Sequence, residues 1–298
     1  MKAGAWVAFV ALGIIWGVPY FFIKVALVEL SPLVIAWSRL TLAAAILLPV
    51  AWKRGALATI RRHKWAVLAF AIVEFVVPFS AISIGEQWIA SSVAGMLLAM
   101  VPLSIALISR YFGLHERLGP ARLAGLLLGL AGVALLVGFG SVRGPQGWLG
   151  VGCMILATLG YALGPLIVQR HLSGVDSLGP VAASLAVASG LLLLPALLSW
   201  PPRWPSARVA GAIVFLGIVC TAAAVLLMFR LIRLAGAART SVITYINPAV
   251  ATLLGVLVLH EPLGVSGLVA FGMILAGSWL ATRALAPARA SAPGDRVR

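Results

Sequence analysis

The sequence predicts an all-α integral membrane protein with ten transmembrane helices, arranged as two inverted five-helix repeats. Three observations carry this. The chain is 62% hydrophobic and only 10% charged over 298 residues, whereas a soluble domain carries roughly a quarter charged residues. The hexapeptide Leu114–Gly119 (Leu-His-Glu-Arg-Leu-Gly) returns as Leu259–Gly264 (Leu-His-Glu-Pro-Leu-Gly), about half a chain later. Self-similarity at that period marks two copies of one unit. Third, the basic residues fall on alternate loops, as a polytopic membrane protein requires.

A helix needs roughly 20 apolar residues to cross the hydrocarbon layer. Apolar runs between polar breaks give five spans in the first half, at 5–26, 32–51, 65–84, 90–110 and 120–139. The second half gives 148–168, 178–199, 207–229, 239–258 and 265–284. The first run is too long for a cleaved signal segment and reads as a retained span. The expected organisation is one repeat over 1–140, a joint at 141–147, a second repeat over 148–286 and a disordered cytoplasmic tail over 287–298. Seven tryptophans, Trp6, Trp52, Trp65, Trp88, Trp148, Trp200 and Trp204, lie near span ends, where an amphipathic ring prefers the interface. Trp16 is mid-span.

Seventeen of the 22 lysines and arginines gather on one set of loops, among them Lys53, Arg54, Arg61, Arg62 and Lys64. Lys24, Arg143, Arg203 and Arg208 fall on the other set, and Arg39 lies inside a span. This bias places both termini in the cytoplasm. Five spans per repeat is an odd number, so the second copy enters from the opposite face. Repeats of inverted topology are the architecture of many secondary carriers. The net charge of +15 does not indicate nucleic-acid binding, because the basic residues are scattered in short clusters between apolar runs. Cys153 and Cys220 lie in apolar runs and read as inert thiols. The four histidines show no metal spacing, no Walker A loop is present, and no cofactor or metal is expected.

Carriers of this kind bind near the bilayer midplane, at interrupted helices in matching positions of the two halves. Span one contains Gly13, Trp16, Gly17, Pro19 and Tyr20; span six contains Gly160, Tyr161, Gly164 and Pro165. Paired glycines let another backbone approach, and a proline frees a carbonyl. Gly17, Pro78, Pro102, Gly164, Pro165 and Pro248 are the candidate helix-break and gating positions. Ordinary tight packing is the competing reading. The candidate substrate-binding residues are Trp16, Pro19, Tyr20, Glu74, Phe79, Met100, Tyr161, Tyr245 and Asn247.

Ionisable groups inside a span are rare and costly. Glu74 either contacts a substrate amine or a coupling proton, or pairs with Arg39 to hold two helices. Arg39 either snorkels outward or clamps a carboxylate. Lys24, at a span end, reads as solvated. Ser241, Thr244, Tyr245 and Asn247 either fix a zwitterion or bond between helices. Glu116 and Glu261 read as caps on the helices that follow them.

With these residues in place, the chain resembles the drug/metabolite transporter superfamily in its ten-helix EamA-type branch. The resemblance rests on Trp16-Gly17-x-Pro19-x-Phe21, on Pro102 with Glu116 and Pro248 with Glu261, and on the Gly-rich span at Gly125–Gly132. It implies a central cavity with Trp16, Pro19, Glu74, Pro102, Tyr161 and Pro248 in or near it. Only the Trp-Gly and proline positions match motif residues. It also implies export of amino acids, aromatic ones included, or of other metabolites or drugs. The expectation is an inner-membrane secondary transporter that moves small metabolites, most of all amino acids, by alternating access. The alternative is a multidrug or organic-cation exporter with Glu74 as counter-ion. Its partners are a small-molecule substrate and the lipid bilayer, with no nucleic acid and a monomeric state. An intramembrane enzyme is disfavoured, since Glu74 is the one acid at depth and no histidine joins it.

Overall fold

The computed structural model describes residues 3–111, 120–138, 144–235 and 241–283. The first copy of the repeated hexapeptide, part of the joint and the tail lie outside them. The described residues form helices in the order α1 (Ala3–Gly17), α2 (Pro19–Ala26), α3 (Pro32–Lys53), α4 (Lys64–Phe70), α5 (Val77–Gly85), α6 (Ser91–Leu98) and α7 (Val101–Tyr111). There follow α8 (Pro120–Leu136), α9 (Gly144–His171), α10 (Leu178–Leu198), α11 (Ala207–Gly217), α12 (Ala224–Ala235), α13 (Ile246–Leu257) and α14 (Val265–Arg283). Among the described residues, six stretches are long and apolar enough to cross a membrane: Gly4–Ala26, Pro32–Lys53, Ile60–Gly85, Gly144–His171, Leu178–Leu198 and Ala207–Leu234. Four further apolar helices are shorter. Outward-facing Leu127, Leu194, Leu198 and Leu253 are exposed, which suits a lipid solvent rather than water.

Several helices are interrupted, and the prolines explain where. Pro19 opens α2, Pro78 and Pro102 are the second residues of α5 and α7, and Pro248 is the third of α13. In the first turn of a helix the missing N–H is no loss. The carbonyls left free find side chains. The chain breaks between α6 and α7, and the Ala99 carbonyl there accepts a buried bond from the Ser278 hydroxyl of α14 at 2.9 Å. Pro165 departs from the expectation of a break. The helix α9 runs through it from Gly144 to His171. One N–H is lost and the Tyr161 carbonyl is freed, but α9 stays a single helix, packed along α4, the turn Ala71–Val76 and α5. Span six is therefore continuous where span one is broken.

Two interruptions leave the chain helical. A π-helical turn, Ala71–Val76, joins α4 to α5, and a second of the same length, Ile218–Ala223, joins α11 to α12. Each sits in the third span of its half. A π-turn inserts one extra residue into an α-helix and is frequent at functional sites.

The two halves touch in a reciprocal pattern. Helix α3 packs on α10, α6 on α13, and α8 most extensively on α14. In each case a span meets its own counterpart. The contact of α5 with α9 is mirrored by that of α1 with α12, and α6–α9 by α13–α1. Glycines bring the backbones together. A Cβ on Gly277 would stand 2.5 Å from the Gly129 nitrogen and 2.6 Å from the Gly125 carbonyl oxygen. Between α3 and α10, the hydroxyls of Thr41 and Ser189 bond at 2.6 Å.

A polar tether also crosses between halves. The Glu29 carboxylate accepts from the Ser206 backbone N–H (2.6 Å) and hydroxyl (2.7 Å) at the start of α11. These two bonds, the side-chain one first, hold the Glu29 carboxyl below the usual value of 4.5, with Arg208 adding to the effect. A lowered folded-state value means that the tether contributes in full above the ordinary carboxylate range and is lost as pH falls through the lowered one. Thermal midpoints of the wild type and Glu29→Gln should therefore differ slightly at neutral pH and converge in acid.

Candidate functional site

Arg39 lies in the second turn of α3 and is only 7% exposed. A guanidinium there needs partners. Its Nε donates to the Thr221 hydroxyl at 2.8 Å, and its Cζ stands 4.3 Å from the centre of the Phe79 ring. The Thr221 hydroxyl in turn donates to the Leu216 carbonyl at 2.9 Å, bridging the π-turn that carries it. Arg39 is thus clamped between the π-turn of span eight and a ring of span three. Its charge also reaches Tyr20, Tyr161 and Cys220.

Glu74 lies on the π-turn of span three, which aims it at α9. Its carboxylate rests on Gly164, where any side chain would collide with it, and beside Phe70. Its Oε2 is buried and has no hydrogen-bond partner. Gly160, one turn before Gly164, is pressed against Pro78, whose Cγ would be 2.8 Å from an added Cβ. Glycines four apart on α9 therefore make room for the π-turn and its carboxylate. Arg39 does not pair with Glu74; it is held by Thr221 and Phe79. Both charges nevertheless act on Tyr161. The arrangement presents a cation, a phenol and a carboxylate with one unpartnered oxygen, Oε2.

The other candidates divide. Phe79, Tyr20 and Tyr161 lie within reach of Arg39, and Met100 is buried in the same packing cluster that Tyr20 and Tyr161 rest on. Trp16 sits elsewhere, against a separate buried cluster that includes Leu12, Ala224, Leu231 and Ile243. Gly13 and Gly17 form the seam between α1 and α13: a Cβ on Gly17 would meet Val250 at 2.5 Å and the Asn247 carbonyl at 2.7 Å. The Asn247 side-chain amide, with its nitrogen facing inward, donates to the carbonyls of Gly13 (3.0 Å) and Ile243 (3.1 Å). That is an interhelical tie. Tyr245 is half-buried in the helical turn Ser241–Tyr245 before α13.

Two charged residues differ from their sequence readings, and a third carried no reading at all. Lys24 is not left to solvent; its ammonium donates to the Glu86 backbone carbonyl. Glu261 caps no helix of its own half. Its oxygens accept from the N–H groups of Ser91 (2.7 Å) and Ser92 (2.9 Å), at the start of α6 in the other repeat. Glu86 follows the last residue of span three, where a loop acid looks solvated in sequence, yet it is 0% exposed. Thr221 escaped notice because a lone threonine in an apolar run carries no signal. Among the described residues no cluster of histidine, cysteine and acidic groups could hold a metal.

Comparison with known proteins points to a family. The model of the EamA-like transporter family matches twice, over residues 3–138 and 148–283. An uncharacterized inner membrane transporter of Escherichia coli, YedA, is 27% identical over 90% of this chain and 87% of its own. An uncharacterized transporter of Bacillus subtilis, YvbV, is 26% identical over 86% and 84%. One from Archaeoglobus fulgidus is 25% identical over 93% and 98%. A solved crystal structure superposes with a TM-score of 0.67 at 23% identity, covering 96% of this chain and all of the other; that likeness speaks to the fold alone.

Proposed function

The chain belongs to the EamA-like transporter family, and from that premise we propose that it exports amino acids across the inner membrane by alternating access. In this reading residues 1–140 and 148–286 are five-span repeats of opposite orientation, with 141–147 as joint and 287–298 as tail. Both termini face the cytoplasm. The reciprocal contacts between the halves and the paired π-turns support a two-fold relation. The distribution of basic loops supports the orientation. The carrier acts as a monomer, with no cofactor and no enzymatic step.

The observation that carries the substrate class is the pair of opposite charges, Arg39 and Glu74, that both act on Tyr161. Arg39, fixed by Thr221 and Phe79, offers a guanidinium for a carboxylate. Glu74, whose Oε2 has no partner, offers an acceptor for an ammonium. A zwitterion satisfies both, and Phe79, Tyr20 and Met100 suit an apolar side chain beside it. The break positions Pro19, Pro78, Pro102 and Pro248 set helix direction around this centre, and Gly17 and Gly164 let the helices approach. Trp16, Tyr245 and Asn247 act from the α1–α13 seam.

The unpartnered Glu74 also favours a second reading, in which an organic cation is the solute. One variant separates the two. In proteoliposomes, Glu74→Gln should weaken phenylalanine and leucine exchange about ten- to hundredfold, the worth of one charged hydrogen bond. Loss of tetraphenylphosphonium exchange with full amino-acid exchange would select the drug reading. Absence of amino-acid exchange by the wild type would overturn the first reading outright.

A further inference from the structure

On the side away from the basic loops, buried oxygen atoms collect without partners. Both carboxylate oxygens of Glu86 are buried and unbonded, as are the hydroxyls of Ser91, Ser92 and Thr252. Glu86 is 0% exposed. Ser91 and Ser92 open α6, and Glu86 lies in the turn that leads into it. A Cβ on Gly255 of α13 would meet the Glu261 carboxylate, the Ser91 hydroxyl at 3.0 Å and Ser92 Cβ at 3.1 Å. Glu261 and Lys24 both act electrostatically on Glu86.

A carboxylate shut off from the surface, with no donor among its neighbours, is not stable as an anion; burial favours the neutral acid. We propose that Glu86 is the proton-binding site of the carrier's far face, neutral while that face is shut and charged only when it opens to water. This rests on the alternating-access reading above. The ligand is a proton rather than a metal cation. The Lys24 ammonium lies against the Glu86 backbone, and the Arg39 charge reaches its carboxylate. A further cation would add to their repulsion, whereas a proton only cancels the anion. The Glu261 oxygens are already engaged by the Ser91 and Ser92 N–H groups.

The closed face is bound by two ties to the segment Gly85–Ser92. Lys24 holds it to span one, and Glu261 holds it to the turn before α14. Opening must part them and admit water to Glu86. One proton then leaves to the far side, and one returns on closing. The titratable groups around Glu86 are Tyr20 and Lys24 on α2, Arg39 on α3, Glu261 with its neighbour His260, and Cys153, which packs on Gly85 from α9. Burial is the largest influence and raises the Glu86 carboxyl well above the usual range; Lys24 lowers it, Glu261 raises it and Arg39 lowers it. The closed face is therefore favoured at low pH and is lost as pH rises through that raised value.

The test needs no substrate. Ser91→Cys is introduced after Cys153→Ala and Cys220→Ala, and labelled by a membrane-impermeant thiol reagent from either side. Rates are normalised to Val28→Cys, a position 81% exposed on the same face. From outside, the normalised rate should rise about tenfold between pH about 5 and about 9. With Glu86→Gln it should stay low throughout. In the infrared, a carboxylic C=O band that disappears over the same range should be missing from Glu86→Gln and present in Glu74→Gln. A pH-independent rate in the otherwise unchanged carrier would overturn the proposal, as would an unchanged band in Glu86→Gln. So would slow labelling at every pH that only sodium ions alter. Labelling from the cytoplasmic side alone would instead remove the topology, and the proposal with it.

Discussion

Arg39→Leu should abolish amino-acid exchange while leaving the thermal midpoint close to that of the wild type. The Arg39 side chain is buried, and a buried charge replaced by an apolar group of similar volume is often neutral in stability. Thr221 keeps its bond to Leu216, so the π-turn of span eight loses one partner and not both. What disappears is the cation that meets the substrate carboxylate. Losing a charged hydrogen bond in a water-poor site costs about 3 kcal/mol or more, roughly two orders of magnitude in affinity. Arg39→Lys should retain part of the exchange, because the charge stays while the Nε contact to Thr221 is lost. Flux in proteoliposomes and a thermal scan of the same preparation decide it. Equal losses of stability and flux in Arg39→Leu would make Arg39 a strut between α3 and span eight.

Gly277→Leu should prevent a stable fold, and Gly277→Ala alone should lower the thermal midpoint. The added Cβ meets the Gly129 nitrogen and the Gly125 carbonyl. Both are backbone atoms and cannot rotate aside. Helices α8 and α14 must separate along their most extensive contact, at about 1–3 kcal/mol for one extra methyl and more for a full side chain. Gly272 provides the control on the same helix. Its Cβ position has nothing within 4 Å, so Gly272→Ala should leave the midpoint unchanged or raise it slightly through helix propensity. Equal midpoints for the two alanine variants would contradict the tight seam.

The helical class, the membrane setting and the doubled unit were legible in the sequence because each is written in composition and repetition. Apolar runs gave most span limits to within a few residues. The prolines marked interruptions well in spans one, three, four and nine, and failed at Pro165, because a proline interrupts a helix only when the packing on both sides allows the halves to part. The π-turns were not legible at all. Ala71–Val76 and Ile218–Ala223 contain nothing that distinguishes them from ordinary helix. Glu74 stood out as an acid in an apolar run, and Arg39 as its only basic counterpart at depth. Their separation did not follow from sequence, since the direction of Glu74 is set by the π-turn and by the room at Gly164. Glu86 was passed over because burial of a loop residue is a property of its neighbours, here Lys24 and Glu261 from distant parts of the chain.

A spare residue in a helical coil swings everything beyond it by about 100°. In span three this sets where Phe79 looks, and so which ring lies under the Arg39 guanidinium. Take one residue out of Ala71–Val76 and the coil closes into a straight rod of nearly the same composition, with Phe79 aimed at a different neighbour and Glu74 shifted off the hollow at Gly164. The aim of the central charges is therefore a matter of residue count, and chemistry-preserving substitutions along that stretch would leave it intact where a single deletion would not.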